Sequence, residues 1–129
     1  MSEAVIKKAR PKHLDLAKIR LPLPGFVSIL HRISGVVLFL MLWMLLLLLD
    51  RSLGSVESFV QYKEIVANPL IKLILLGLLW AYLHHFCAGI RFLFLDVHKG
   101  IDLPTARKTS VAVLAVSLTL TVIIGAKLW

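Results

Sequence analysis

The sequence predicts an all-α membrane protein with three transmembrane helices in a single membrane-anchor domain, residues 1–129. Hydrophobic residues make up 59% of the chain and charged residues only 17%, whereas a soluble domain usually carries about a quarter charged residues. The apolar residues are concentrated in three runs, 26–49, 70–95 and 110–126. A helix needs about 20 mainly apolar residues to cross the hydrocarbon core. Because a backbone in lipid must satisfy its own hydrogen bonds, we expect all three runs to be helical.

The first two runs are long enough to cross the bilayer with some tilt. The prolines and glycine of 22–25 are expected to mark the beginning of the first span. Asn68 followed by Pro69 predicts an N-cap and a proline in the first helical turn of the second.

The third run is at the short end of the range and gains length if Lys127 and Trp129 anchor at the interface. Gly100 and Pro104 are predicted to lie in the loop before it. Its hydroxyl-bearing residues suit contacts with neighbouring helices, so we interpret this span as scaffold: Ser117, Thr119 and Thr121.

The formal net charge of +8 is distributed unevenly along the chain. The tail 1–25 and the three segments that follow the spans carry six, two, three and one Lys or Arg residues. By the positive-inside rule, the basic tail is cytoplasmic and the C-terminus periplasmic. A multi-pass protein of a bacterial inner membrane, without a cleaved signal peptide, is the expected localisation. The apolar excess argues against a nucleic-acid partner, despite the positive charge.

Ionisable residues inside a span are costly, so each is a candidate for function. The first span carries Ser28, His31 and Arg32 near its inner end, at i, i+3 and i+4 on one helix face. The second span carries three more: His84, His85 and Arg91.

The depths of these residues suggest a ligand with an anionic end. At about 1.5 Å per residue, both arginines begin within roughly 7–11 Å of the inner boundary and His85 lies about 16 Å deep. Haem b, with two propionates on one edge and an iron that takes axial imidazole, suits this arrangement. The simpler alternatives are that Arg32 and Arg91 extend to the interface, and that His31 bonds a carbonyl or a neighbouring helix.

His84 and His85 point about 100° apart on a helix, so only one of them can face a given site. Gly89, four residues after His85, would allow close approach of a flat group or another backbone. The spacing favours His85 as the ligand but leaves His84 open.

Two stretches have the character of motifs: one combines RPKHLDL at 10–16 with SILHRISG at 28–35, and the other is HFCAGIRFLFLD at 85–96. They resemble the signatures of the cytochrome b556 subunits of succinate dehydrogenase, the membrane anchors of respiratory complex II. The resemblance covers nearly the whole chain. Lys12 replaces a commonly apolar residue and Phe92 a position often held by histidine.

The resemblance implies a function that composition alone could not give. Such anchors bind haem b together with a second small haem-binding anchor, and hold a flavoprotein and an iron–sulfur subunit at the membrane. Electrons from succinate then pass to ubiquinone. The motifs assign His85 as the axial ligand of the haem iron, His31 and Arg32 to the haem propionates, and Ser28 and Arg32 to ubiquinone. Arg91 is a candidate for a charge on the haem or quinone side.

Three alternatives remain open at this point. A quinol:fumarate reductase anchor would use the same architecture in the opposite direction. A structural adaptor would use the polar residues only for helix contacts. A small transporter or proton pathway is weaker, because the ionisable residues do not form a chain across the bilayer.

Overall fold

The computed structural model describes residues 18–129, which form four helices: α1 (Leu23–Leu53), α2 (Val56–Ala67), α3 (Pro69–Asp96) and α4 (Leu103–Leu128). The all-helical prediction is confirmed for this part of the chain. The three long helices, α1, α3 and α4, are long and apolar enough to cross a membrane. The predicted motif at 10–16 lies outside the described residues.

The beginnings of α3 and α4 follow from local capping. As predicted, Asn68 caps α3, its side chain accepting a hydrogen bond of 2.9 Å from the Leu70 amide. At α4, the Asp102 carboxylate accepts from the Thr105 amide and hydroxyl. The prediction that Pro104 lies in a loop is wrong. It lies in the first turn of α4, where its missing N–H would have had no intrahelical partner.

Helix α2 was not predicted, because residues 50–69 contain no long apolar run. Ser55 caps it, and the Ser55 and Ser58 side chains each accept from the other residue's amide, at 3.2 and 2.7 Å. At the end of α1, the Arg51 guanidinium donates a 2.8 Å hydrogen bond to the Gln61 side chain. The serine pair thus fixes where α2 begins, and the Arg51–Gln61 hydrogen bond links α2 to the end of α1.

Helix α3 packs between α1 and α4 and is antiparallel to both. Small and hydroxyl-bearing residues of α4 allow close approach: Ser110, Ser117, Thr121 and Gly125 are buried. The hydroxyls donate hydrogen bonds to carbonyls of their own helix, as from Ser117 to Leu114 at 3.1 Å. These residues therefore favour the interface because they are small, not because they bond across it. The predicted helix contacts hold for Ser117 and Thr121, whereas Thr119 is exposed.

The turn between α3 and α4 is a Schellman motif. The Lys99 amide donates to the Phe94 carbonyl at 3.0 Å and the His98 amide to the Leu95 carbonyl at 2.9 Å. His98 has φ 58°, the left-handed conformation that usually belongs to glycine at this position. The motif fixes Lys99 beside the last turn of α3.

Candidate functional site

His31 of α1 and His85 of α3 form a stacked pair. Their ring centroids lie 4.1 Å apart and their planes differ by 9°. Both side chains are partly buried. Two residues that are 54 positions apart in sequence are therefore joined where α1 and α3 cross.

Each imidazole lies over a glycine of the opposite helix. A Cβ at Gly35 would be 2.9 Å from Cε1 of His85, and a Cβ at Gly89 would be 3.7 Å from Nε2 of His31. The arrangement is reciprocal, because Gly35 follows His31 by one turn and Gly89 follows His85 by one turn. The sequence predicts that Gly89 leaves space for a close approach, and the structure places His31 there and His85 in the corresponding space at Gly35.

The hydrogen bonds of His85 determine which of its nitrogens is free. Its Nδ1 lies 3.0 Å from the His31 carbonyl oxygen, which can only accept, so Nδ1 carries the proton and donates. In the neutral ring, Nε2 then holds the unshared electron pair. No residue among 18–129 hydrogen-bonds to that Nε2. This is the tautomer that a metal-binding histidine needs.

Ser34 supports the same arrangement, although sequence reasoning did not single it out. Its hydroxyl donates to the His31 carbonyl at 2.9 Å and lies 3.2 Å from His85 Nδ1. Because Nδ1 is a donor, it shares its proton between the carbonyl and the Ser34 oxygen. The available sequence signal was a hydroxyl one turn after His31 on the helix face that meets α3.

His84 lies apart from this pair. Its side chain is fully buried inside the three-helix bundle, with the Trp80 ring at a centroid distance of 5.3 Å. Neither of its ring nitrogens has a hydrogen-bond partner within residues 18–129. The predicted angular separation of the two neighbouring histidines is confirmed, and only His85 meets His31.

Arg91 is turned toward α4. Its Nε donates a 3.0 Å hydrogen bond to the Thr109 hydroxyl, and its side chain is 7% exposed. Phe92 lies between Arg91 and the histidines, 5.6 Å from the guanidinium carbon and 5.0 Å from the His31 ring. The structure therefore does not bring the Arg91 side chain into contact with His85.

Ser28 and Arg32 lie on α1 before and beside His31. Ser28 is partly buried and Arg32 is exposed. Within the described part of the chain, neither side chain makes a hydrogen bond or an ion pair. Their hydrogen-bonding capacity is therefore available to a ligand or a partner at this end of the helix.

Comparison with known proteins gives consistent matches. A family model described as succinate dehydrogenase/fumarate reductase transmembrane subunit matches residues 6–124. A Coxiella burnetii protein named succinate dehydrogenase cytochrome b556 subunit is 39% identical over 121 residues, 93% of this chain and 97% of the relative. A Paracoccus denitrificans protein of the same name is 34% identical over 114 residues, 88% of each chain. One from Rickettsia felis is 30% identical over 124 residues, 92% of this chain and 93% of the relative.

Proposed function

The chain belongs to the family of succinate dehydrogenase/fumarate reductase transmembrane subunits, and from this premise we propose that it anchors succinate dehydrogenase in a bacterial inner membrane. In this role it binds haem b with a second anchor subunit and helps to form the ubiquinone-reduction site. It holds the flavoprotein and iron–sulfur subunits at the membrane, and so connects the tricarboxylic acid cycle to aerobic electron transport.

The single observation that carries the haem proposal is the tautomer of His85. The His31 carbonyl and Ser34 hold its Nδ1 proton, which leaves the Nε2 electron pair for an iron atom. The cytochrome name of the relatives favours a b-type haem. When bound, that haem supplies a one-electron redox centre. The residues present fit such a group.

The propionate edge of the haem is assigned to His31 and Arg32. A guanidinium and an imidazole N–H both donate to carboxylates, and the charge-assisted bonds of Arg32 are the stronger ones. Arg91 adds positive charge on the same side, but its guanidinium is directed to Thr109 rather than to the histidines.

The quinone site is assigned to Ser28 and Arg32. A serine hydroxyl and a guanidinium can each donate a hydrogen bond to a quinone carbonyl oxygen, and the positive charge favours electron density on that oxygen. The free donors of both side chains at one end of α1 support this role.

If two histidines hold the haem, the second would come from the partner anchor. His84 is enclosed between the helices of its own chain, on a different face of α3 from His85. His31 stacks face to face on His85 at 4.1 Å, so these two imidazoles would not be placed to hold one iron atom between them. A bis-histidine haem therefore needs an imidazole from another chain.

The positive tail favours an inside N-terminus. This places Ser28 and Arg32 at the cytoplasmic end of α1, toward the soluble subunits. The family model covers quinol:fumarate reductase anchors as well. The names of the relatives favour the succinate-oxidising direction.

The haem assignment is tested by reduced-minus-oxidised spectra of the purified complex. We expect His85→Ala to lose the b-type band, while the neighbouring His84→Leu retains it. A band that persists in His85→Ala and disappears in His84→Leu would reverse the assignment. Expression of this chain alone should yield little low-spin b haem, because the second ligand is absent.

The quinone assignment is tested by comparing two electron acceptors. Ser28→Ala and Arg32→Leu should slow ubiquinone reduction by about 10-fold or more, as for loss of a hydrogen-bond donor to developing charge. Succinate oxidation with an artificial acceptor should be unchanged. The matched control is Ser52→Ala at the other end of α1. Unchanged ubiquinone reduction in both variants would refute the quinone role, whereas equal loss of both activities would indicate failed assembly and not a quinone-site defect.

A further inference from the structure

A groove between α3 and α4 lies outside the histidine site. We call it the α3–α4 groove; it encloses about 350 Å³ and includes among its lining residues Cys87, Arg91, Leu95, Lys99, Thr109 and Val113. Neither His31 nor His85 lines it. Its walls are mainly apolar, and its two charged lining residues are both cationic.

Arg91 enters this groove as a buried cation that forms no ion pair with a carboxylate of residues 18–129. Its side chain is 7% exposed, and its only hydrogen bond within residues 18–129 is from Nε to the Thr109 hydroxyl. Guanidinium has five N–H donors, so most of its donors are unused by the described chain. A buried charge in an apolar segment is costly unless it is paired, which favours an anion in the groove.

Lys99 supplies the second cation at the end of the groove. The Schellman motif bends the chain after α3 and ties the Lys99 amide to the Phe94 carbonyl. Lys99 is exposed, and no carboxylate within residues 18–129 forms an ion pair with it. The buried guanidinium of Arg91 and the exposed ammonium of Lys99 thus both lie at the groove near the end of α3.

The apolar walls distinguish this groove from a simple anion site. From Cys87 to Leu95 the groove follows α3 for about 12 Å, at about 1.5 Å per residue. Ile90 and Phe94 also line it and are 42% and 56% exposed, so it opens on the outer surface of the bundle. An apolar channel that ends in two cations is complementary to an amphiphile with an anionic headgroup.

We propose that the α3–α4 groove binds an anionic phospholipid. The acyl chain lies along the apolar walls between α3 and α4, and the headgroup phosphate accepts hydrogen bonds from Arg91 and Lys99. This site is additional to the haem and quinone functions, and does not depend on them.

The test uses the assembled complex in phosphatidylcholine vesicles that contain a trace of photoactivatable lipid. Probes with a phosphatidylglycerol or a phosphatidylcholine headgroup carry the same reactive acyl chain. We expect the anionic probe to label residues 87–99 and 109–113 about fivefold more than the zwitterionic probe. Lys99→Gln and Arg91→Gln should bring this ratio close to one.

The matched control is Arg107→Gln. Arg107 is an exposed cation near the beginning of α4, and it does not line the groove. This substitution should leave the ratio unchanged. Equal labelling by the two probes would overturn the proposal, as would an equal fall in Arg107→Gln. The proposal would also be overturned if a protein segment crosslinked into the groove and neither lipid probe labelled it. That result would favour a carboxylate of a partner subunit as the anion. If Arg91→Gln fails to assemble, Lys99→Gln still decides the outcome.

Discussion

Cε1 of His85 stands 2.9 Å from the point that a Cβ would occupy at Gly35. The His85 imidazole therefore occupies the space that a side chain at position 35 would need, and the position of the ring depends on residue 35 being glycine. The opposite contact, between His31 and Gly89, is looser, since Nε2 of His31 would be 3.7 Å from a Cβ. The two glycines thus provide a natural pair for mutation.

Gly35→Ala should displace the His85 ring and remove most of the b-type absorbance of the complex. Overpacking of this kind costs about 1–3 kcal/mol, so the thermal stability of the complex should fall as well. Gly89→Ala, where the new contact is an ordinary one, should retain the spectrum. Equal effects of the two substitutions would contradict the proposed position of His85.

Ser34→Ala removes one of the two acceptors of the His85 Nδ1 proton and leaves the His31 carbonyl in place. Loss of such a supporting hydrogen bond usually lowers metal affinity by about 10–100-fold, and we expect the lower end for haem retention. Haem loss to apomyoglobin would measure this change. Ser52→Ala is the matched control, because its hydroxyl also bonds to the carbonyl three residues earlier, at 2.7 Å. A slower loss of haem from Ser34→Ala would refute the role of this hydroxyl.

His98→Gly should stabilise the turn between α3 and α4. A residue with a side chain costs roughly 1–2 kcal/mol of folded-state free energy in the left-handed conformation. Removing the Cβ relieves this cost. Only part of it appears as stability, because glycine also increases the conformational entropy of the unfolded chain. Gly100→Ala should have the opposite effect, because φ is 75° and the new Cβ would be 3.3 Å from Thr105 Cγ2. Thermal unfolding of the complex measures both. A lower midpoint for His98→Gly would contradict the expectation.

The beginning of α4 should depend on pH through Asp102. Hydrogen bonds from the Thr105 side chain and then the Thr105 amide lower the pKa of Asp102. The contribution of this cap is therefore present above the ordinary pKa and is lost as the pH falls through the lowered value. Amide-exchange protection of Thr105, corrected for the intrinsic rate, should fall at acid pH in the wild type. Asp102→Asn, which cannot ionise, should remove that dependence; an identical pH profile in both proteins would refute it.

Much of this fold is predictable from the sequence, because hydrophobic length and capping are local properties. The three long helices and the Asn68 cap follow directly from such patterns. Helix α2 depends instead on reciprocal capping by Ser55 and Ser58, which a search for apolar runs does not detect. Proline is compatible with both a loop and the first turn of a helix, so the sequence around Pro104 does not decide between them.

The candidate site was predictable in part. Spacing separates His84 from His85, and the motifs identified the family that the comparisons confirm. Spacing gives only the angles between residues of one helix. It does not show how α3 is rotated about its axis relative to α4, so the contact of Arg91 with Thr109 could not be predicted. The contribution of the His31 carbonyl could not be predicted either, because it depends on how α1 and α3 meet.

The reciprocal histidine and glycine contacts also fix the axial register of two antiparallel helices. Sliding α3 along α1 by one turn, about 5.4 Å, would take His85 off Gly35 and His31 off Gly89 in the same step. An intermediate slip would push each ring against a larger neighbouring side chain. The height of His85 relative to α1 is consequently set by protein contacts, so in a thicker or thinner membrane the two helices are expected to tilt together.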